Sequence, residues 1–280
     1  MAGLSASAAT GRHFVKMHGL RNHFVIVDAR TEAFTPDDEE IIRICDPEVG
    51  VGAEQLIVID APRDSGTDAF MRILNVDARE VEACGNATRC VAWLLMEEAG
   101  TDTVTIETLA GLLECERRGD MLVSCSMGRV SMDWRDVPLA EERDTCHLDI
   151  GSGPLQDAVA LNVGNPHAVF FVDDLDDVDL AAHAPSIQKL DIFPDEVNVG
   201  AAQMTGDDSM RLAVYERGAG LTTACGSGAC AAVYAALARG LADARTMTVR
   251  MPAGSVEVGF REDGHAVMTG PVAHSFHGYL

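Results

Sequence analysis

The chain carries the same short pattern twice, and this repetition limits what it can fold into. The segment Ala83–Cys90 begins Ala-Cys-Gly, continues with small and polar residues to a second cysteine, and leads into the apolar run 91–96. The segment Ala224–Cys230 leads in the same way into the run 231–237. A polar, small-residue turn followed by an apolar run of this length is typical of a helix start. We therefore expect two helices that each begin beside a cysteine.

Two pairs of polar residues repeat at almost the same interval as the cysteines. The pairs Asn22 and Asn165, Gln55 and Asn198, and Cys84 and Cys225 are separated by 143, 143 and 141 residues. An interval of this size is too long for a solenoid repeat and indicates the duplication of a half-chain unit. A length of 280 residues is sufficient for two such units, each with its own core.

The remaining pattern predicts an α+β fold. Short apolar segments such as Gln55–Asp60, Thr103–Thr108 and Thr246–Met251 are separated by Gly and Asp turns, as in meandering strands around one apolar helix per half. We expect one lobe from residues 1–128 with 271–280, and a second from residues 129–270. The acidic, irregular segment 133–149 is a candidate connection between the halves, and residues 1–12 are expected to form a loose tail.

Composition excludes several classes of protein. The net charge of −23 argues against a nucleic-acid partner, which would require a basic face. No apolar run approaches the roughly 18 residues of a membrane-spanning helix, and we expect no membrane partner. Eight irregularly spaced cysteines without a secretory signal predict reduced thiols in the cytoplasm.

A cysteine at a helix start can have a chemical role or a packing role. Unpaired N–H groups and the helix dipole favour negative charge there, so the thiol is expected to ionise more easily than usual and the same N–H groups can hold a carboxylate. Alternatively, a buried cysteine packs as a small apolar residue. Two cysteines at equivalent places in duplicated halves favour the chemical role.

From Phe14 to Leu280 the chain resembles the diaminopimelate epimerases. The resemblance is carried by Lys16–Leu20, Ala83–Cys90, Gly164–His167, Val214–Gly220 and Ala224–Cys230. It implies two pseudo-symmetric lobes, each a mainly antiparallel sheet wrapped around a central helix, with the active site in the cleft between them. It also implies a homodimer that inverts one α-carbon of LL-2,6-diaminopimelate, without pyridoxal phosphate or metal, in lysine and peptidoglycan precursor biosynthesis.

The resemblance also implies a set of site residues. Cys84 and Cys225 are the expected acid and base on opposite faces of the α-carbon, and His167 and Glu216 are expected to tune them. The N–H groups of two helix starts are expected to hold the α-carboxylate. A buried Arg217 and nearby amides are expected to hold the distal carboxylate and amine. The residues expected to bind substrate are Asn22, Gln55, Asn75, Gly85, Asn86, Asn165, Asn198, Glu216, Arg217, Gly226 and Ser227.

Several positions depart from the family pattern. The first motif, usually Gly-Asn-Asp, is here Arg21-Asn22-His23, and the loop after Asn75, usually Asp-Gly-Ser-Glu, is here Asp77-Ala78-Arg79-Glu80. An alanine at a turn position with positive φ costs on the order of 1 kcal/mol. These changes are expected to affect catalytic efficiency and substrate preference more than the type of reaction.

Other functions remain open at this stage. The chain could be a related racemase or epimerase of another amino acid or of hydroxyproline, or a non-catalytic paralogue that binds an amino acid. A zinc site made of Cys84, Cys90, Cys225 and Cys230 is disfavoured, because the spacing is not that of structural zinc sites.

Overall fold

Residues 11–280 are described by a computed structural model, and residues 1–10 of the predicted tail lie outside the described residues. The chain divides into two compact units. One unit ends at Arg117 and also contains Val272–Leu280, and the other is Arg118–Pro271. The acidic segment 133–149 lies inside the second unit.

Elements of the first unit follow one another as strands, a short helix, more strands and a longer helix. They are β1 (His13–Gly19), β2 (Asn22–Asp28), α1 (Asp38–Cys45), β3 (Gln55–Asp60), β4 (Ala69–Asn75), β5 (Glu80–Val81), α2 (Gly85–Ala99), β6 (Thr103–Thr108) and β7 (Gly111–Gly119), which runs across the boundary.

The second unit contains the next elements in chain order. They are β8 (Leu122–Arg129), β9 (Leu148–Ser152), β10 (Leu155–Asn162), β11 (Pro166–Phe171), a 3-10 turn (Leu175–Asp177), α3 (Leu180–Gln188), β12 (Asn198–Gly206), β13 (Ser209–Glu216), β14 (Gly220–Thr222), α4 (Gly226–Ala238), β15 (Thr246–Met251), β16 (Gly254–Phe260) and β17 (His265–Pro271). The last strand, β18 (Ala273–Tyr279), belongs to the first unit and pairs with β1.

The strand pairings confirm the duplication. In the first unit β1–β2, β3–β4, β4–β5 and β6–β7 are antiparallel, and β2–β3 and β4–β6 are parallel. In the second unit β10–β11, β12–β13, β13–β14 and β15–β16 are antiparallel, and β11–β12 and β13–β15 are parallel. The register is equivalent too, because Phe24 lies opposite Gln55 and His167 lies opposite Asn198.

The central strands are buried on both faces. Val25 and Val27 of β2 pack with Ile41 of α1 in one cluster. Because successive side chains point to opposite faces of a strand, Phe24 and Ile26, which are also buried, lie on the other face. Helix α2 packs against β1, β2 and β6, and α4 packs against strands that include β10, β11 and β16. Each unit therefore wraps its strands around one central helix.

The predicted strands 55–60, 103–108 and 246–251 have their predicted bounds, and both helices beside the cysteines are confirmed. The sequence did not predict β5, β9, β12, β14 or β18. Strand β18 is mostly exposed and has no alternation of buried and exposed residues. Among residues 11–280, no helix is long and apolar enough to cross a membrane.

Candidate active site

Cys84 lies at the start of α2 in the first unit. It has extended backbone geometry, and its carbonyl accepts the N–H and the hydroxyl of Thr88, so the helix begins directly after it. The half-buried Cys84 thiol donates to Asn22 Oδ1 at 3.8 Å. Asn86 Nδ2 donates to the same oxygen at 3.3 Å. Three predicted site residues, Asn22, Cys84 and Asn86, are therefore together.

A strained turn positions Asn22. Gly19 and Asn22 are paired at the ends of β1 and β2, and the two residues between them, Leu20 and Arg21, have φ values of 52° and 61°. Two-residue hairpin turns with positive φ at both positions favour Gly and Asn. Arg21 therefore occupies a position where a glycine would be less strained.

A buried arginine supports the first helix start. Arg89 is 0% exposed; its Nη2 donates to Asn86 Oδ1 at 2.6 Å and its Nη1 to the carbonyl of Gly85 at 3.3 Å. Sequence reasoning missed this residue, because the equivalent position in the second half is Cys230, and a duplication argument finds only what both halves share.

Gln55 and Asn75 form a second polar pair in the first unit. Gln55 Nε2 donates to Asn75 Oδ1 at 2.8 Å across the β3–β4 pairing. Gln55 Oε1 is buried and accepts no hydrogen bond from residues 11–280. A buried acceptor without a donor is costly, so this oxygen is a candidate contact for an ammonium group of a ligand.

Cys225 begins α4 in the second unit in the equivalent way. Its sulfur accepts the N–H of Gly228 at 3.4 Å, and Ser227 Oγ lies 3.6 Å from the sulfur. The Cys225 N–H is directed at the thioether sulfur of Met251 at 3.4 Å. The residue is 5% exposed.

The expectation of an easily ionised thiol is wrong for Cys225. Burial raises the pKa of Cys225, and the nearby Glu216 carboxylate raises it further, outweighing the hydrogen bonds from Ser227 and Gly228. Cys225 is therefore a protonated thiol at neutral pH. The sequence shows that Cys225 begins a helix, but it does not show how deeply the thiol is buried. This burial decides whether the thiol ionises.

His167 is a buried, neutral imidazole. Its Nε2 lies 2.9 Å from Asn165 Oδ1 and 3.1 Å from Ser227 Oγ. Because the amide oxygen only accepts, Nε2 carries the proton. Burial and the charge of Arg217 lower the pKa of His167 to about 3. His167, Asn165, Ser227 and Cys225 form one connected group.

Glu216 and Arg217 lie at the turn between β13 and β14. Glu216 Oε1 accepts a hydrogen bond from the hydroxyl of Thr222 at 2.6 Å. The sequence did not predict this contact, because the first half has Val81 at the position equivalent to Thr222. Arg217 N–H donates to Asn198 Oδ1 at 2.9 Å, and its Nη1 donates to the Asp195 carbonyl at 2.8 Å. The Arg217 side chain was expected to be buried and is exposed, because it belongs to this turn.

The first turns of α2 and α4 present the N–H groups of Gly85 and Asn86, and of Gly226 and Ser227, which have no acceptor earlier in their own helix. Such groups can hold a carboxylate. Within residues 11–280, no three His, Cys, Asp or Glu side chains are grouped so that they could hold a metal ion.

Comparison with known proteins identifies the family. The family described as "Diaminopimelate epimerase" matches residues 14–133 and 159–275, which include both cysteine segments. The chain belongs to the diaminopimelate epimerase family. It is 46% identical over 269 residues to a diaminopimelate epimerase from Rhodospirillum centenum, covering 96% of this chain and 92% of the relative. It is 48% identical over 272 residues to one from Acidiphilium cryptum, covering 97% of each.

Fold similarity extends beyond the diaminopimelate epimerase family. A solved hydroxyproline epimerase from Agrobacterium vitis has a TM-score of 0.67 and 15% sequence identity, over 95% of this chain and 91% of that one. At this identity the likeness concerns the fold alone. The diaminopimelate epimerases therefore share their chain architecture with an enzyme acting on another substrate.

Proposed function

We propose that this protein inverts one α-carbon of LL-2,6-diaminopimelate and gives the meso form. The observation that carries the proposal is a cysteine directly before a helix start in each of two units with the same strand pairings. Membership of the diaminopimelate epimerase family supports the substrate.

The chemistry needs one group that removes the α-proton and another that delivers a proton to the opposite face. We assign these roles to Cys84 and Cys225, one as thiolate and the other as thiol, with the roles exchanged in the reverse reaction. We assign Glu216 as the proton acceptor near Cys225, because its carboxylate is close enough to raise the pKa of that thiol. His167 is neutral and acts through Ser227.

The substrate carboxylate next to the reacting carbon develops charge as the proton leaves. The helix-start N–H groups of Gly85, Asn86, Gly226 and Ser227 are the proposed donors, because donors aimed at developing charge lower the barrier. We propose that Asn22, Gln55, Asn75, Asn165 and Asn198 bind the amino groups and the remaining carboxylate.

One assay tests the proposed reaction. In heavy water, the enzyme should introduce deuterium at one α-carbon of LL-diaminopimelate while meso-diaminopimelate accumulates, as measured by mass spectrometry and chiral chromatography. A protein that only binds the amino acid would introduce no deuterium. Deuterium in hydroxyproline but not in diaminopimelate would assign the chain to the related reaction instead.

A second assay tests the two-headed substrate. Arg217 is the proposed partner of the distal carboxylate, since a guanidinium can bind a carboxylate through two hydrogen bonds. We expect diaminopimelate to be inverted and lysine, which lacks that carboxylate, to be inverted with kcat/KM lower by at least about 10–100-fold. The Arg217→Ala variant should narrow this difference, and equal kcat/KM for both substrates in the unmodified enzyme would contradict the assignment.

We further propose that the protein works in the cytoplasm as a homodimer. Eight irregularly spaced cysteines fit a reducing compartment better than a disulfide framework. The mostly exposed strand β18 carries Phe276 and Tyr279, and is the proposed contact between two copies.

A further inference from the structure

Arg89 of α2 is a buried cation beside the first helix start. It is 0% exposed, and its Nη2 donates to Asn86 Oδ1 at 2.6 Å. Its Nη1 donates to the Gly85 carbonyl at 3.3 Å. A guanidinium has five N–H donors and no acceptor, so any group that it holds has to offer an acceptor. The Asn86 amide therefore has its oxygen toward Arg89.

This contact fixes the direction of the next hydrogen bonds. With its oxygen toward Arg89, Asn86 turns Nδ2 toward Asn22 and donates to Asn22 Oδ1 at 3.3 Å. Because Nδ2 only donates, Asn22 has to offer its oxygen at this contact. The same oxygen accepts the Cys84 thiol at 3.8 Å. The guanidinium thus determines the direction of each bond as far as Asn22.

The direction of these bonds decides which end of the Asn22 amide faces the thiol. A side-chain amide has an acceptor at one end and two donors at the other. Held by Asn86, Asn22 presents its oxygen to Cys84 and turns Nδ2 away, where it can donate to an acceptor on a ligand. In the reverse orientation Asn22 would offer an N–H to the sulfur and an oxygen to the ligand, which is unfavourable beside a carboxylate.

Close packing holds the arginine against the turn that carries Asn22. A Cβ atom on Gly19, the last residue of β1, would lie 3.2 Å from Arg89 Nη2 and 3.2 Å from the Asn86 carbonyl oxygen. Gly19 pairs with Asn22 across the strained turn between β1 and β2. The absence of a side chain at Gly19 therefore lets the guanidinium lie directly against this turn.

The second unit holds the oxygen of its equivalent asparagine by a different residue. Asn165 Oδ1 lies 2.9 Å from His167 Nε2, which carries the proton. The first unit has the buried Phe24 at the position of His167, and the second unit has a cysteine at the position of Arg89. Both units therefore fix the oxygen end of the same asparagine, but the controlling residue comes from a strand in one and from a helix in the other.

We propose that Arg89 is a positioning residue that acts through Asn86 to keep the Asn22 oxygen toward the Cys84 thiol. Because Arg89 is fully buried, it acts through these two side chains and not on a ligand. The catalytic consequence rests on the proposed function, whereas the orientation of the two amides does not.

The test compares Arg89→Met with Arg72→Met in the full-length protein. Methionine fills the space of the arginine stem but donates no hydrogen bond to Asn86. Arg72 of β4 is the matched control, because its half-buried guanidinium donates to Asp60 Oδ1 at 3.1 Å and to the Phe34 carbonyl at 2.7 Å. Both changes remove a guanidinium from the first unit, but only the first should release the amides.

Nuclear magnetic resonance of the protein labelled with ¹⁵N at asparagine measures the orientation without substrate. The signals of the Asn86 side chain are identified by their loss in Asn86→Asp. Because Asn86 is 6% exposed and hydrogen-bonded at both ends of its amide, its Nδ2 protons should exchange slowly with water. Arg89→Met should speed this exchange at least about tenfold, since it removes a hydrogen bond to a charged group. Arg72→Met should leave the exchange unchanged.

If Arg89→Met does not fold, Gly19→Ala tests the same contact from the other side. It keeps the buried arginine, and its new methyl group would crowd Arg89 Nη2 and the Asn86 carbonyl oxygen. The Asn86 side chain should then exchange faster with water, as in Arg89→Met, and an unchanged rate would count against the proposal.

A double-mutant cycle with Asn22→Ala measures the catalytic consequence. Arg89→Met alone should lower kcat/KM for diaminopimelate at least about tenfold, because a misdirected Asn22 amide no longer suits the ligand. In the Asn22→Ala background, Arg89→Met should lower kcat/KM less than about threefold, since the residue through which it acts is gone. An arginine with only a structural role would cause the same loss in both backgrounds.

Two results would overturn the proposal. One is unchanged exchange of the Asn86 amide in Arg89→Met, and the other is an equal loss of kcat/KM in the two backgrounds. Neither would contradict the proposed epimerase reaction, because the unmodified enzyme would still introduce deuterium into diaminopimelate. Conversely, an unmodified protein that introduces no deuterium would refute the reaction, while faster exchange in Arg89→Met would still support the orientation of the amides.

Discussion

At the scale of single residues, the two cysteines that we propose as proton-transfer groups should both be indispensable for inversion. Cys84→Ala and Cys225→Ala should each lower the rate of inversion at least about 100-fold, because each removes one of the two proposed acid–base groups. The measurement is the conversion of LL- to meso-diaminopimelate. Cys146→Ala is the matched control, because Cys146 lies outside both helix starts and its sulfur contacts the Ala238 carbonyl at 3.9 Å. Substantial turnover in either helix-start variant would contradict the two-thiol assignment.

His167 should make the stability of the protein depend on pH. Its pKa is about 3 in the folded protein, below the ordinary value of 6.5, so the unfolded chain binds the proton more readily. The contribution of the neutral His167 to the free energy of unfolding is fully present above pH 6.5 and is lost as the pH falls toward 3. At pH 5 the loss amounts to about 2 kcal/mol. Urea unfolding at pH 7 and pH 5 should show a smaller loss in His167→Gln than in the unmodified protein.

The control for this pH effect is His147→Gln, because His147 is exposed and its ring has only a surface contact with Asp157 at 3.3 Å. His147→Gln should leave the difference between pH 7 and pH 5 unchanged. An unchanged difference in His167→Gln would mean that another group causes the acid sensitivity.

The family resemblance implied which residues gather around each thiol, but not their ionisation. The group of Asn165, His167, Ser227 and Cys225 could be predicted because its members stand in recognisable segments. The raised pKa of Cys225 could not, since it depends on burial and on the approach of Glu216 in three dimensions. The exposure of the Arg217 side chain depends on three-dimensional packing in the same way.

At the scale of elements, the turn between β4 and β5 stores strain that a single change should remove. Ala78 has a φ of 64°, in the left-handed region where alanine is disfavoured, as the sequence predicted. Ala78→Gly should therefore raise the free energy of unfolding by about 0.5–1 kcal/mol. Ala219→Gly is the matched control, because it lies in the equivalent turn of the second unit without a positive φ. A stability gain in the control alone would contradict this explanation.

Elements with strong patterns were the ones that could be predicted. Helix α4 is an uninterrupted run of small apolar residues, and β3 and β15 are bounded by turn residues, so their positions followed from the sequence. Strands β5 and β14 are two and three residues long and have no readable period. They form because β4 and β13 offer them an edge, which is a tertiary cause.

At the scale of the whole molecule, the duplication fixed the pairing of strands but left the two halves chemically different. The second half has the Ser227 hydroxyl beside its thiol and a carboxylate whose charge raises the pKa of that thiol, and the first has amides and a buried guanidinium. Inversion of a carbon requires an acid on one side and a base on the other at any moment. Two thiols with different surroundings on equivalent backbones are suited to that requirement, because one can act as the acid while the other acts as the base.

Assembly is the property of the whole molecule that is most readily tested. Strand β18 pairs with β1 along one edge, and no strand within residues 11–280 pairs along its other edge. Phe276 and Tyr279 on this strand are 46% and 55% exposed. Free edges that carry exposed aromatic side chains are usually covered by a partner, and we expect a second copy of the chain to cover this one.

We expect the unmodified protein to be a homodimer and Phe276→Glu to be a monomer, since burying a carboxylate in the proposed contact would be unfavourable. Light scattering coupled to size-exclusion chromatography measures the mass directly. Leu112→Glu is the control, because Leu112 is 59% exposed on β7 and should leave the mass at twice that of the chain. A monomeric unmodified protein, or a Phe276→Glu variant that stays dimeric, would show that β18 is not the contact. Retained folding of the variant, seen as an unchanged circular dichroism spectrum, would tie the change in mass to the contact rather than to unfolding.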